Sequence, residues 1–436
     1  MTGNFLTRTW SVLVLSIDKH NVPESSNCLI PWLGQEYIKL ISLEPIRRSD
    51  ENNKFDKIDI KASREISREK WTEKMAENYH RLFDVTMKNL PDIWVPLEFA
   101  LSVKTILNIK GCTLPFGGIL LGVPGSSKTV VIESFRGLPH TFYSDNFTPK
   151  SFVSHNSAVK KEKLRDIGML PKIKDKFFLS PELAPIFSSE DKDLLQLLGI
   201  LTRVLDGHGF ESDSGAQGHR ACKGDYMFTM IGAAVDIPHK VYKHLSTLGP
   251  KLYFLRLPRV EHSEDYYLEN MKVNFQGKIE EIRAALYEYL AVFEVNPDIV
   301  PSEEGPPKIP MNYGKHEELT CKHIVKLAQL LGPLRAAVPT WRTEDTQGSS
   351  YAYSIPNIEE PSRAITILQK LAAGHALTQG RDHITIEDIP IIIQIVLSTA
   401  SLERSKIFDL LISNDGYLKT RDVAEYNTTN GASCDD

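Results

Sequence analysis

Residues 122–129 read GVPGSSKT, and their types and spacing suit one kind of chemistry. A polyphosphate presents many anionic oxygens and needs several donors at once. The inward-pointing N–H groups of a tight turn supply most of them, joined by one ammonium and one hydroxyl. Gly122 lets a strand exit into the turn, and Val123, Pro124 and Gly125 carry and shape it. Ser126 and Ser127 keep the side chains small, Lys128 offers charge to the β- and γ-phosphates, and Thr129 offers a hydroxyl to magnesium. One place departs from the phosphate-loop pattern: the position before the lysine, where glycine belongs, holds Ser127. If Ser127 takes a positive φ, the strain is about 1–2 kcal/mol. Charge-assisted hydrogen bonds to phosphate can offset that.

Such a loop works only between a strand and a helix, and the flanking sequence provides both. GGILLG is an apolar run entering the turn, and TVVIESF continues with helical periodicity. KFFLS, FTMIGAAV and KLYFLRLP are further apolar strands. DLLQLLGILTRVLDG and KVYKHLSTLG are helices between them. Strands alternating with helices at this spacing predict an α/β fold with a parallel sheet and flanking helices. Before the loop, helices are expected from about Glu73 to Asn89 and over PLEFALSVKTILNI, which stops at Gly111. From Asp265 onward the pattern reads as wholly helical, apart from a proline-rich linker or surface loop at NPDIVPSEEGPPKIPMN. Residues 1–45 read as strand-rich, and Arg47 to about Glu73 as a charged linker or solvated helix.

With 436 residues the chain is long enough for two or three cores, and its charged content of 25% is that of a globular protein. A net charge of −5 gives no whole-protein attraction to nucleic acid or anionic membrane. The five cysteines form no CxxC pair, which argues against a disulfide framework and fits a reducing, cytoplasmic compartment. The apolar run Trp10 to Ile17 is too short to span a bilayer. VKKEKLRDIGMLPKIKDK carries seven basic residues against three acids and is the best candidate for a phosphate backbone; the other reading is a solvated face. His208, His219 and Cys222 share a glycine-rich loop, DGHGFESDSGAQGHRACKGD, whose irregular spacing makes a metal site the lesser reading.

The loop and its strands over about residues 90–400 resemble the AAA+ branch of P-loop ATPases. The resemblance implies ATP and Mg2+ as cofactors, a P-loop core over 76–260, a helical lid over 261–400 and assembly into a ring. It leaves 1–75 as an N-terminal region of unknown role. The acidic pair that ends the family's second strand matches Pro181-Glu182, so Glu182 alone would serve magnesium and water. Asp175 precedes that strand and falls at its wrong end. The polar sensor of the next strand matches Ala234 and Val235, with Asp236 or Thr229 as substitutes. The cation given to a neighbouring subunit matches Lys251, with Arg256 and Arg259 as alternatives. The lid arginine matches Arg363, unless it merely pairs with Glu359 or Glu360. The insertion around residues 206–225 would face the central pore. SLERSKIFDLLISNDGYLKTRDVAEY resembles the first helices of a winged-helix module, truncated over 401–436, with four basic and seven acidic residues. The implied function is a DNA-associated, helicase-like ATPase. Ser127, the lost aspartate and the apolar sensor favour the alternative, a nucleotide-dependent switch with little turnover.

Overall fold

The fold is taken from a computed structural model, which describes residues 66–152, 168–214, 218–249, 251–300, 305–345, 348–419 and 421–422. The strands expected over 1–45, the first part of the basic run and the chain beyond 422 lie outside the described residues. So does most of the charged stretch after Arg47.

The described chain begins with helix α1 (Arg68–Asn89), started by the Ser67 side chain accepting from the Lys70 N–H. It starts earlier than the charge pattern predicts because Trp71, inside the supposedly solvated stretch, is buried. Its indole N–H donates to the Val292 carbonyl at 2.9 Å. Helix α2 (Trp94–Thr105) follows, mostly apolar and almost wholly buried, Lys104 included.

Next comes the sheet. Strands β1 (Phe116–Leu121), β2 (Thr141–Tyr143) and β3 (Phe177–Ser180) are followed by a hairpin, β4 (Gly209–Ser214) and β5 (Gly218–Lys223). β6 (Thr229–Ala234) and β7 (Leu252–Arg256) complete the series. Five of these form one sheet in the order β2-β3-β6-β1-β7, parallel throughout. The near-continuous apolar runs are explained by burial on both faces. Helix α3 (Lys128–Ser134) follows β1, α4 (Asp191–Val204) follows β3, and α5 (His239–Leu248) follows β6. Ile119, Leu121, Met230 and Phe254 of one sheet face pack in a cluster with Leu194, Leu198 and Leu201 of α4 and Val241 and Leu245 of α5. On the other face the Phe99 ring of α2 lies edge-on to Phe116.

The remaining helices flank this sheet: α6 (Glu264–Met271), α7 (Phe275–Ala291), α8 (Glu318–Arg335), α9 (Ser362–Thr378) and α10 (Ile389–Thr399). α7 packs on α1, α9 on α2, and α10 on β7. A Cβ on Gly374 of α9 would stand 2.3 Å from the Ser102 carbonyl of α2, so only glycine permits this approach. The Thr399 hydroxyl accepts from the Phe254 N–H of edge strand β7 at 2.9 Å. Helices α9 and α10, within the 261–400 stretch read as a helical lid, pack on α2 and β7, and the described chain through Thr399 is one compact unit. The proline-rich segment is likewise anchored: Ile309 bridges Ile109, and Asn108 donates to the Pro307 carbonyl.

Two segments differ from the pattern read in the sequence. The glycine-rich stretch after Asp206 is the antiparallel hairpin β4–β5, and the supposedly all-helical region contains a second hairpin, β8 (Thr340–Asp345) and β9 (Gly348–Tyr353). Beyond the compact unit, α11 (Leu402–Ser413) ends in a turn where the Gly416 N–H reaches back to the Leu411 carbonyl. No helix among the described residues is long and apolar enough to cross a membrane.

Candidate functional site

β1 lies between β6 and β7, so the loop that follows it leaves the interior of the sheet's C-terminal edge. Crevices outside that edge are where open α/β sheets bind ligands. The loop is tied down at its root. Gly122 donates to the Ala234 carbonyl of β6, and Leu257, just past β7, donates to the Leu121 carbonyl at 2.7 Å. A Cβ on Gly122 would come within 2.7 Å of the Ser126 hydroxyl and 3.2 Å of Leu257, so the first position of the loop has no room for one.

Ser127 has φ 59° and ψ 15°, the left-handed conformation, and stands immediately before α3. The serine that replaces the expected glycine thus carries the strain considered for it. Lys128 is only 9% exposed. Its ammonium donates to the Gly122 carbonyl at 2.6 Å, the Val123 carbonyl at 3.0 Å and the Ser126 hydroxyl at 3.1 Å. Burial lowers its pKa from the usual lysine value, and the charge of Glu182 opposes that. Lys128 and Glu182 are therefore close enough to feel each other. Val123, Pro124, Gly125 and Thr129 are exposed, and Ser126 and Ser127 partly so.

Glu182 is exposed just past β3, and its Oε1 accepts from the Ala184 N–H at 2.8 Å, at the start of the short helix Ala184–Phe187. It sits at the cleft end of its strand and also serves the turn below it. Two residues earlier, the Ser180 hydroxyl is buried at the end of β3 without a hydrogen-bond partner.

Lys251 and Arg363 are brought together, but not with the loop. The Lys251 ammonium donates to Asp206 Oδ1 at 2.5 Å and to the Thr202 carbonyl. Arg363 donates to the same Oδ1 at 2.8 Å and to the Leu205 carbonyl at 2.9 Å. Asp206 precedes Gly207, whose Cβ position abuts Thr113 and Pro115, just before β1 begins. The cluster thus occupies the N-terminal edge of the sheet, at the opposite end of the six-residue strand β1 from the loop. Burial would raise the Asp206 pKa, but bonds and charge from Lys251 and Arg363 overcome this and hold it below the usual carboxylate value. Arg363 pairs with neither Glu359 nor Glu360 here; Glu359 is bound by Arg335. Asp206 gave no local signal in the sequence, since an acid ending a helix before glycine is ordinary.

Of the alternatives, Arg256 and Asp236 lie at the loop's own edge and are bonded to each other at 3.0 Å. Asp175 is at the start of β3, away from that edge, as expected, and receives Lys308. Thr229 begins β6 and is buried at the far end from the loop. Among the described residues no three His, Cys, Asp or Glu side chains converge as a metal site.

Comparison with protein-family models gives no match, and comparison with curated protein sequences gives none either.

Proposed function

We propose that the chain binds ATP with Mg2+ at residues 122–129 and hydrolyses it slowly, completing its catalytic site only beside a neighbouring copy. The observation that carries the first part is the loop geometry. A left-handed Ser127, a glycine root without space for a side chain and a buried lysine aimed back across the turn form a cradle for polyanions. The donor set fits the group: backbone N–H groups, the Lys128 ammonium and the hydroxyls of Ser126 and Thr129.

In this assignment Lys128 neutralises the outer phosphates, Thr129 offers its hydroxyl to magnesium, and Glu182 orients the attacking water. ATP–Mg supplies the phosphoryl group, and the protein contributes positioning and charge. Lys251 and Arg363 face away from their own loop, so the copy they serve is another one. Asp206 holds both cations in register, and a ring is the simplest closed arrangement of such head-to-tail contacts. DNA as the object of the motor comes only from the resemblance.

The switch alternative draws on a specific feature, the commitment of Glu182 Oε1 to the Ala184 N–H. Turnover measured against protein concentration separates the two. Turnover per chain that rises with concentration, and falls in Glu182→Gln and Lys251→Ala, supports the enzyme. Saturable ATP binding with no turnover at any concentration supports the switch.

A further inference from the structure

Ala234 of β6 and Arg256 of β7 both pair with Leu121, the last residue of β1, from opposite sides. Side chains two residues apart on a strand share a face. Arg256 therefore continues the face of Leu252 and Phe254. Asp236 lies two residues past Ala234, the end of the strand on the other side of β1. Their salt bridge, Arg256 Nη1 to Asp236 Oδ1 at 3.0 Å, crosses from one neighbour of β1 to the other, over the residue from which the loop springs. Leu257, the next residue, packs against the position of a Gly122 side chain. The guanidinium is thus built into the root of the loop.

Its bonding is incomplete. Arg256 Nε and Nη2 are buried and have no hydrogen-bond partner, although the guanidinium has five N–H donors. The one carboxylate that it holds belongs to a side chain that is 60% exposed, and Asp236 Oδ1 already accepts from the Ile237 N–H. A solvated carboxylate is a weak anchor for an arginine. A phosphate, with more charge and a geometry matched to the guanidinium fork, is a stronger one.

Resting on the nucleotide site proposed above, we infer that Arg256 reads the terminal phosphate of the bound nucleotide in the same chain, with Asp236 as the carboxylate that holds it between binding events. The pair then discriminates triphosphate from diphosphate. Gly122, between them, couples the exchange to the loop. This differs from the role the resemblance offers Arg256, donation to a neighbour, because the residue lies at its own loop's edge.

The test is equilibrium titration of the full chain with ATP–Mg and ADP–Mg, as wild type, Arg256→Gln and Asp236→Asn. Arg256→Gln is expected to weaken ATP roughly tenfold or more while ADP changes less than about twofold. Asp236→Asn frees the guanidinium and tightens ATP by about twofold to tenfold. The ratio of the two nucleotides within one variant corrects for partly misfolded protein. Equal loss of both nucleotides in Arg256→Gln, or loss of neither, overturns the assignment of Arg256, as does weaker ATP binding in Asp236→Asn. A wild type that binds neither nucleotide would instead remove the nucleotide site, and the role of Arg256 with it.

Discussion

The ammonium of Lys128 donates to the carbonyl oxygen of Gly122 at 2.6 Å, so the charge proposed to serve phosphate also ties the ends of the loop together. Binding and loop order are carried by the same atom. Lys128→Met keeps the apolar stem and removes the donor. It should cost about 1–3 kcal/mol of stability from the lost charged hydrogen bonds. It should also abolish the stabilisation by ATP–Mg that the proposal expects of the wild type, about 3 kcal/mol at a hundredfold excess over Kd. Thermal denaturation with and without nucleotide reads both effects.

Ser127 at φ 59° makes a second prediction, with opposite signs for two substitutions. Ser127→Gly relieves about 1–2 kcal/mol of strain, part of which is returned to the freer unfolded chain. The net gain is expected to be about 0.5–1 kcal/mol, with nucleotide binding retained. Ser127→Val, branched at Cβ, is destabilising in the same conformation. Urea unfolding midpoints of the three proteins give the order Gly, Ser, Val from most to least stable.

Asp206 offers a third. It accepts from Lys251 and Arg363, so Asp206→Ala leaves two partly buried cations facing each other. A loss of about 2–4 kcal/mol is expected in urea unfolding. ATP affinity of the isolated chain should change little, because the cluster and the loop lie at opposite edges of the sheet. A large fall in ATP affinity with unchanged stability would be inconsistent with that placement.

Buried between α2, α9 and the turn before α10, His375 lies 2.6 Å from Asp388 and 3.5 Å from Glu98. Arg381 also binds Asp388, and Tyr79 donates to Glu98. Burial alone would lower the histidine pKa, but the two carboxylates raise it from 6.5 to about 9. A raised folded pKa stabilises fully below the unfolded value and is lost as pH climbs through the folded one. Stability should therefore decline between pH 6.5 and about 9, by an amount on the order of a few kcal/mol. His375→Gln should flatten that slope in urea melts at pH 6 and 9.5.

The parallel strands were legible because burial on both faces leaves uninterrupted apolar runs such as FGGILL and TMIGAA. The loop at residues 122–129 was legible as a strand-to-helix turn because its pattern is local, eight residues in a row; that it holds phosphate is the proposal. Hairpin β8–β9 was not: it reads TWRTED and GSSYAY, where Trp341, Tyr351 and Tyr353 stand among charged and small polar residues without a sustained apolar alternation. Trp71 was misread because its charged neighbours, REK and TEK, hide a single anchoring indole. Asp206 and the Arg256–Asp236 pair depend on strand order. Nothing within twenty residues of sequence announces that β6 and β7 flank β1.

The most direct test of the account is calorimetric titration of ATP–Mg into the full chain, wild type beside Lys128→Ala. Saturable binding of about one nucleotide per chain, lost in the variant while its melting curve stays cooperative, is the predicted result. No heat of binding to the wild type, or equal affinity in both proteins, would contradict it.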